Sequence, residues 1–310
     1  MRILVYTALN EQQQHQLKEE LSTDSELIFK SQLTDEQLIR AFDTAEIILG
    51  NPPVSLFKRN LSKLRFWQID SAGFDQYQDL KLSIPVANMG TFFALSCAET
   101  ILGGILCFYR QIHQLVRLQS AKKWKGKQIR TKLQGMQNKN VLILGSGAIG
   151  IAVKSLLSGF GCQIRTTARK NPAADLHRQE DILAVLPEID LVVNTLPGTA
   201  EKYVSASFFA ALKPGCLYSN VGRGNTTDEK ALQSALKNGK LSGAVLDVTQ
   251  VEPLPKDHVF WTMENVILTQ HTGGGDQYET EGKLKQFITN INRFVKGQPL
   301  QDLVDLRQGY

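Results

Sequence analysis

The sequence has few of the cysteine and histidine patterns that mark metal or disulfide proteins. Its 310 residues include four cysteines. They lie far apart in apolar segments, without a CxxC pair and without histidine at metal-ligand spacing. We therefore expect no bound metal, and we interpret the cysteines as reduced core residues: Cys97, Cys107, Cys162 and Cys216.

Long hydrophobic runs are also missing from the sequence. The longest apolar candidate, Ile101 to Phe108, is shorter than the roughly 18 residues of a membrane span. The apolar start is followed within ten residues by the polar run Glu11 to Glu20, which is unlike a signal peptide. These patterns predict a cytoplasmic protein with no membrane partner.

Positive charge is in modest excess, with a formal net charge of +5. The most basic segment, Lys122 to Lys132, surrounds Trp124 but carries no nucleic-acid-binding motif. A solvated loop between a helix and a strand accounts for it better. We expect no nucleic-acid partner, although the charge suits anionic cofactors and substrates.

Short apolar runs alternate with amphipathic stretches along the chain, which predicts an α/β fold, and the length suits two domains. A helix is expected to begin at Thr34, where Gln37 completes a capping box. Another long helix is expected from Ser96 to about Lys122. The predicted strands of the first part are Ile3–Tyr6, Ile47–Leu49, Phe66–Ile69 and Pro85–Ala87. Those beyond Gly135, typical of a doubly wound parallel sheet, are Val141–Leu144, Gln163–Thr167, Leu191–Thr195, Cys216–Asn220, Gly243–Val248 and Val266–Thr269.

A G-x-G-x-x-G motif follows the first strand of this second group and precedes a helical run. In that context Gly145 makes the tight turn, Gly147 lets the backbone approach a pyrophosphate, and Gly150 allows close packing of helix on strand. The motif predicts a dinucleotide whose phosphates lie at the helix N-terminus.

Three polar residues follow late strands of the sheet: Arg223, Glu252 and His271. Taken singly, each is more often a solvated or turn residue. The carboxyl ends of parallel strands share one edge, however, so their joint placement leads us to expect that they converge. Reduction of a keto acid needs a cation for the carboxylate and carbonyl, suited to Arg223, and a proton donor, suited to His271. A glutamate beside an imidazolium stabilises it and raises its pKa, the role predicted for Glu252. His258, in a polar turn, is the competing acid.

These motifs together resemble the D-isomer-specific 2-hydroxyacid dehydrogenase family over nearly the full chain. The resemblance rests on the glycine loop and on Leu196–Thr199, Asn220–Gly224, Ala244–Val248, Glu252–Pro253 and Asn265–His271. It implies a flavodoxin-like substrate domain, residues 1–95 plus 284–310. A Rossmann dinucleotide domain, residues 96–283, is inserted in it, and the active site is expected in the cleft between them.

The resemblance also assigns roles to individual residues. Arg223, Glu252 and His271 become the catalytic residues, and Asp247 contacts the nicotinamide carboxamide. The loop Asp70–Asp75 would bind the substrate carboxylate through Ser71, Ala72 and Gly73. Further dinucleotide contacts are implied for Ala148, Ile149, Thr195, Leu196, Pro197, Thr199, Asn220, Val221, Gly222 and His271.

Two departures from the family pattern stand near the predicted histidine. Gln270 occupies the position where proline usually precedes it, which is expected to alter local rigidity without removing a reacting group. Glycines are dense at Gly273–Gly275, which predicts a more mobile loop.

The end of the second strand predicts which nicotinamide cofactor is preferred. NAD sites carry an acidic residue there for the ribose 2′-hydroxyl, whereas this chain has Ala168. Arg169 would bind a 2′-phosphate, with Thr167 offering a hydroxyl and Lys170 further positive charge. We expect NADP(H) to be preferred, with NAD(H) possible; a solvated basic turn that accepts either cofactor is the alternative.

Other functions remain compatible with the pattern. A nicotinamide-sensing protein similar to a transcriptional co-repressor would have the same fold, as would a dehydrogenase for formate or phosphite. The apolar helix near Ser96, with Ile101, Leu102, Ile105, Leu106 and Phe108, also predicts a homodimer, although burial within one chain would explain it equally.

Overall fold

The computed structural model describes residues 1–21, 24–59 and 61–308. Among them the strands are β1 (Arg2–Val5), β2 (Glu26–Phe29), β3 (Ile47–Leu49), β4 (Phe66–Gln68), β5 (Val86–Ala87), β6 (Asn140–Leu144), β7 (Gln163–Thr167), β8 (Leu191–Asn194), β9 (Cys216–Asn220), β10 (Leu241–Leu246) and β11 (Val266–Leu268). The α-helices are α1 (Glu11–Glu20), α2 (Asp35–Thr44), α3 (Gly90–Tyr109), α4 (Ile112–Ser120), α5 (Gly126–Arg130), α6 (Ala148–Ser158), α7 (Gln179–Val185), α8 (Ala206–Ala211), α9 (Glu229–Lys237) and α10 (Glu279–Val295).

The chain divides into two compact units. The first is Met1–Phe93 with Asp276–Tyr310, and the second is Ala94–Gly275. The sequence placed these boundaries at 95/96 and 283/284. The latter would cut α10, whose Leu284, Phe287 and Ile291 are all buried in the core of the first unit. The helix therefore belongs to the first unit as a whole.

The first unit is built on a parallel sheet in the order β2-β1-β3-β4-β5, the flavodoxin-like order. Successive β1 residues enter opposite layers, since Ile3 and Val5 join one apolar cluster and Leu4 the other. The predicted capping box is confirmed, because Gln37 N–H donates to Thr34 Oγ1 and Thr34 N–H donates to Gln37 Oε1. Strand β2 was missed, because it lies at the sheet edge and buries only Phe29 fully.

The second unit is built on a parallel sheet in the order β11-β10-β9-β8-β6-β7. One further parallel bridge pairs Thr167 with Leu176 beyond β7. Counted from β6, the segment at Leu176 is the third strand and lies outside β7. With it, the sheet has the strand order of a doubly wound Rossmann fold. The predicted α/β fold with two parallel sheets is confirmed.

The predicted helix from Ser96 to Lys122 is in fact two helices. It begins earlier, at Gly90, and is interrupted at Gln111, whose left-handed φ of 54° separates α3 from α4. Contrary to the expectation from sequence, α3 is long and apolar enough to cross a membrane. Its middle packs in the second unit, where Ile101 and Ile105 are buried and Gly104 lies so close to Val245 of β10 that an added Cβ would collide with it.

All four cysteines are free thiols and at least partly buried. Burial raises the pKa of Cys97 to about 11 and that of Cys216 to about 12. Because the thiolate is the reactive form, these two side chains act as core residues.

Candidate active site and dinucleotide loop

The three motif glycines join β6 to α6, each in a different environment. Gly145 has φ +102°, a conformation that favours glycine. Gly150 packs against the Gly145 carbonyl so closely that a Cβ would collide with it. Gly147, by contrast, would meet nothing within 4 Å, and no side chain of the described residues caps the helix that begins beside it. The open amide groups of this first turn, including Ala148 and Ile149, suit an anion such as a pyrophosphate.

Two buried asparagines shape the neighbouring turns. Asn194 ends β8 and accepts a hydrogen bond from Leu196 N–H at 3.0 Å. Asn220 ends β9 and accepts one from Gly222 N–H at 3.0 Å. These contacts turn the chain at the segments Thr195–Thr199 and Val221–Gly222, both predicted to contact the dinucleotide. The sequence analysis did not single out Asn194, although it holds the same place on its strand as Asn220.

The basic segment after β7 is partly exposed. Arg169 and Lys170 are exposed and Ala168 is partly buried. Thr167 is buried, and its Oγ1 accepts a hydrogen bond from Gly145 N–H at 3.1 Å, so it holds the glycine loop. Asn171, which the sequence analysis missed, also contacts this loop, because its Nδ2 donates to Ser146 Oγ at 3.0 Å.

The next carboxylate along the chain after this segment is that of Asp175, and it is engaged by Thr166 and Lys154. Its Oδ2 accepts hydrogen bonds from the N–H and hydroxyl of Thr166 at 2.7 and 2.8 Å and lies 3.5 Å from Lys154 Nζ. Burial by itself would raise the pKa of Asp175, but these contacts outweigh it and hold the pKa below its usual value. Asp175 therefore does not replace the acidic residue that is missing at position 168.

The predicted histidine and glutamate are in direct contact. His271 Nδ1 lies 2.6 Å from Glu252 Oε2, and the other glutamate oxygen accepts from Thr249 N–H at 2.9 Å. Nδ1 carries the hydrogen of this contact, because an ionised carboxylate only accepts. His271 Nε2 has no hydrogen-bond partner among the described residues, and the imidazole side chain is 52% exposed. The arrangement suits transfer of a proton at Nε2.

Arg223 lies beside the turn that carries Glu252. It follows β9, is partly buried, and its Nη1 donates to Gly222 O at 2.8 Å. The next residue, Gly224, packs so closely on Thr249 that a Cβ would collide with the Thr249 carbonyl. The backbone after Arg223 and the Thr249–Glu252 turn are therefore in contact, as expected for residues at one sheet edge.

The turn that carries His271 has an unusual backbone. Gln270 and His271 have φ values of 55° and 56°, and Thr272 N–H closes the turn on Thr269 O at 3.2 Å. Proline, whose φ is fixed near −65°, cannot adopt the conformation at position 270. Gln270, which stands where the family pattern has proline, therefore lies in a left-handed turn that proline could not form.

Asp247 holds this turn from β10. Its Oδ1 accepts from Thr269 Oγ1 at 2.6 Å and from Thr272 N–H at 3.1 Å, and both oxygens lie 3.1 Å from Gly273 N. Asp247 is only 4% exposed. Asp247 was expected to contact the nicotinamide carboxamide. In this structure its carboxylate binds the turn that carries His271.

His258, the competing acid, has both ring nitrogens engaged. Nε2 lies 3.0 Å from Glu229 Oε1 and Nδ1 accepts from Phe260 N–H at 3.3 Å. This leaves His271 as the better candidate. No group of His, Cys, Asp and Glu in the described ranges is arranged to hold a metal ion.

In the first unit, the Ser71–Gly73 loop is tied down by its carbonyl and side-chain atoms. Ser71 Oγ donates to Gly73 O at 2.6 Å and accepts from Asn51 Nδ2 at 3.0 Å. Asn88 Nδ2 donates to Ala72 O at 2.7 Å. The loop following β4 is thus fixed by residues that follow β3 and β5.

A sequence profile described as D-isomer specific 2-hydroxyacid dehydrogenase, NAD binding domain, matches residues 102–273. The chain belongs to the D-isomer-specific 2-hydroxyacid dehydrogenase family. A relative in Citrobacter koseri, named glyoxylate/hydroxypyruvate reductase B, is 30% identical over 98% of this chain and 97% of its own length.

Solved structures of the same family are similar over their whole length. A D-isomer-specific 2-hydroxyacid dehydrogenase family protein from Aeromonas salmonicida has a TM-score of 0.82 at 27% identity, covering 98% of this chain and 99% of that one. One from Xanthobacter autotrophicus, in complex with NADPH and MES, has a TM-score of 0.82 at 26% identity, covering 100% and 99%. As a 2-hydroxyacid dehydrogenase, the chain is an NAD(P)-dependent oxidoreductase, which confirms the predicted enzyme class.

Proposed function

We propose that this 2-hydroxyacid dehydrogenase reduces small 2-keto acids to D-2-hydroxy acids with NADPH, with His271 as the proton donor. The 2.6 Å contact between His271 Nδ1 and Glu252 Oε2 carries this proposal, because it orients the imidazole and leaves Nε2 for the substrate. The named activity of the Citrobacter koseri relative supports glyoxylate and hydroxypyruvate as substrates.

The protein residues supply everything except the hydride. NADPH, when bound, supplies the hydride that becomes the new C–H bond at the keto carbon. His271 gives its Nε2 proton to the carbonyl oxygen, while Glu252 stabilises the imidazolium that precedes this step. Arg223 binds the carboxylate and polarises the carbonyl. The N–H groups of Ala72 and Gly73 are assigned to the substrate carboxylate.

NADPH oxidation by glyoxylate, hydroxypyruvate, pyruvate and a bulkier 2-keto acid tests the proposed activity. We expect turnover with at least one small acid. A protein that binds NADPH tightly but turns over none of these acids would be a nicotinamide sensor or a dehydrogenase for another substrate, and the proposal would be wrong.

Preference for NADP(H) rests on the exposed Arg169 and on the absence of a carboxylate at Ala168. A charge-assisted contact to the 2′-phosphate is worth roughly 1.5 to 3 kcal/mol, about tenfold to a hundredfold in affinity. We expect Arg169→Ala to raise the KM for NADPH by about that factor with little effect on NADH. Ala168→Asp should shift the preference toward NADH. Equal kcat/KM for both cofactors in the unmodified protein would contradict this assignment.

We also propose a cytoplasmic homodimer, with a correction to its surface. Ile101, Ile105 and Phe108 are buried within the unit itself and are not available to a partner. Leu102 and Leu106 of the predicted run are only partly buried, and the exposed apolar side chains of these two helices include Leu95 of α3, at 53%, and Ile112 and Val116 of α4, at 45% and 53%. Light scattering at micromolar concentration tests this assignment, and a monomeric mass would contradict it.

A further inference from the structure

A second histidine–glutamate pair lies in the dinucleotide-binding unit, outside the proposed reacting groups. His258 Nε2 is 3.0 Å from Glu229 Oε1, and the two side chains are 17% and 15% exposed. Because Phe260 N–H donates to Nδ1, the ring hydrogen resides on Nε2 and is donated to the carboxylate. This contact fixes one oxygen of Glu229.

The other oxygen of Glu229 holds the turn that carries Glu252. Gln250 N–H donates to Glu229 Oε2 at 3.0 Å. Within the same turn, Thr249 N–H donates to Glu252 Oε1 at 2.9 Å and Thr249 Oγ1 donates to Val251 O at 2.9 Å. A continuous series of contacts thus leads from His258 through Glu229 and the turn to Glu252.

We propose that Glu229, held by His258, is a positioning residue that fixes the Thr249–Glu252 turn and thereby the contact between Glu252 and His271. This inference rests on the proposed roles of Glu252 and His271. Glu229 acts only through the turn and has no contact with the proposed reacting nitrogen. Its place at the start of α9, after the N-cap Asp228, ties the turn to a regular helix.

Other charged groups also follow the neighbouring strands, Arg223 after β9 and Asp247 after β10. Asp247 and Arg223 both act electrostatically on Cys97, and Glu229 and His258 are linked to the Thr249–Glu252 turn through Gln250 N–H. The Asp247 carboxylate is committed to the Thr269–Gly273 backbone and hydroxyl donors. Glu252 contacts the imidazole ring at Nδ1, and its backbone lies in the turn that Glu229 holds.

Glu229→Gln tests the proposal in the full-length protein. His258 and Gln250 donate to different oxygens of Glu229, so glutamine would place its NH2 group, which only donates, against one of the two donors. We expect kcat for glyoxylate reduction to fall about tenfold, with the KM for NADPH unchanged. The loss of activity with rising pH should also begin roughly half a pH unit lower, because a displaced Glu252 stabilises the imidazolium less.

The matched control is Asp190→Asn, which removes a carboxylate in the same unit but before β8. Asp190 accepts from Lys213 Nζ at 2.7 Å and from Asn140 N–H at 2.9 Å. This variant should lose stability while keeping the pH profile of the unmodified protein. A Glu229→Gln protein whose pH profile superimposes on that of the unmodified protein would overturn the proposal.

A double variant separates this inference from the proposed function. If Glu229 acts through Glu252, Glu229→Gln combined with Glu252→Gln should shift the pH profile no further than Glu252→Gln alone. An additive shift would overturn the positioning role. If Glu252→Gln itself leaves the profile unchanged, the proposed role of Glu252 fails. A shift in Glu252→Gln without one in Glu229→Gln contradicts only the inference about Glu229.

Discussion

The two histidine–glutamate pairs of the dinucleotide-binding unit have the same chemistry in different surroundings. In the first, His271 and Glu252 are 52% and 34% exposed and 2.6 Å apart, and one ring nitrogen is left without a partner among the described residues. In the second, His258 and Glu229 are more buried and 3.0 Å apart, and both ring nitrogens are engaged. The free nitrogen, rather than the carboxylate partner, distinguishes a group that can exchange a proton from one that supports a fold.

The largest expected effect comes from removing each imidazole in turn. His271→Ala should lower kcat by about 10² to 10⁴, because the proton donor is lost, while NADPH binding remains. His258→Ala should keep turnover within about tenfold but lower the free energy of unfolding by about 2 kcal/mol, since Glu229 loses a buried partner. Steady-state NADPH oxidation and urea unfolding measure the two effects. Equal losses of kcat in both variants would remove the distinction between the pairs.

The second test changes the backbone turn that carries His271 of the more exposed pair. Gln270→Pro cannot adopt the left-handed φ of 55° and should lower kcat about a hundredfold by displacing His271. Gln270→Gly removes the strain of a side chain there and should stabilise the fold by roughly 1 kcal/mol with kcat unchanged. An active proline variant would show that the turn does not position His271.

Neutralising the carboxylate of the exposed pair should have a moderate effect. Glu252→Gln is expected to lower kcat for reduction about tenfold. Reduction needs the imidazolium, which a neutral amide stabilises less than a carboxylate, so activity should be lost at lower pH than in the unmodified protein. A series of kcat values against pH measures this shift, and a shift to higher pH would contradict the assigned role.

The smallest effect is expected at an ion pair distant from both histidines. Burial would raise the pKa of Asp190, but hydrogen bonds from Lys213 and the Asn140 N–H outweigh it and lower the pKa. A lowered pKa stabilises the fold above the pKa of the unfolded state and loses that contribution as pH falls. Asp190→Asn should therefore cost about 1 kcal/mol at neutral pH, and this cost should decline only as pH falls below about 4 and through the lowered pKa of the folded state. Urea unfolding at neutral pH and over a series of values below about pH 4 measures it, and a cost that stays constant over the whole series would contradict it.

The sequence was most informative where strands are buried on both faces. The bounds of Ile47–Leu49 and Cys216–Asn220 agree with the structure, because every residue of both strands is buried and each run ends at a turn. The break at Gln111 was not predictable, since neither glycine nor proline marks it. Strand β2 was missed because it lies at the sheet edge and is only partly buried, so its apolar residues give a weak strand pattern.

The site was predictable where function needs a particular residue type after a strand. The loop glycines and the residues Arg223, Glu252 and His271 were predicted in this way, and the structure brings His271 and Glu252 into contact. The pairing of His258 with Glu229 was not, because 29 residues separate them and Glu229 has the pattern of an ordinary first-turn helix residue. Likewise, Asp247 was assigned to the carboxamide, whereas its contacts with the histidine turn depend on a loop conformation that sequence does not specify.

The short bridge beside β7 also protects the outer edge of the sheet. An open edge strand offers unpaired N–H and carbonyl groups to other chains and favours aggregation. Here Thr166 N–H donates to the Asp175 side chain, Leu176 N–H donates to Thr166 O, and Ala168 N–H donates to Leu176 O. The loop residues Asp175 and Leu176 thus occupy the backbone groups of Thr166 and Ala168 through which a second molecule could extend the sheet. The basic segment after β7 can therefore stay accessible to a small ligand without becoming a site of β-sheet self-association.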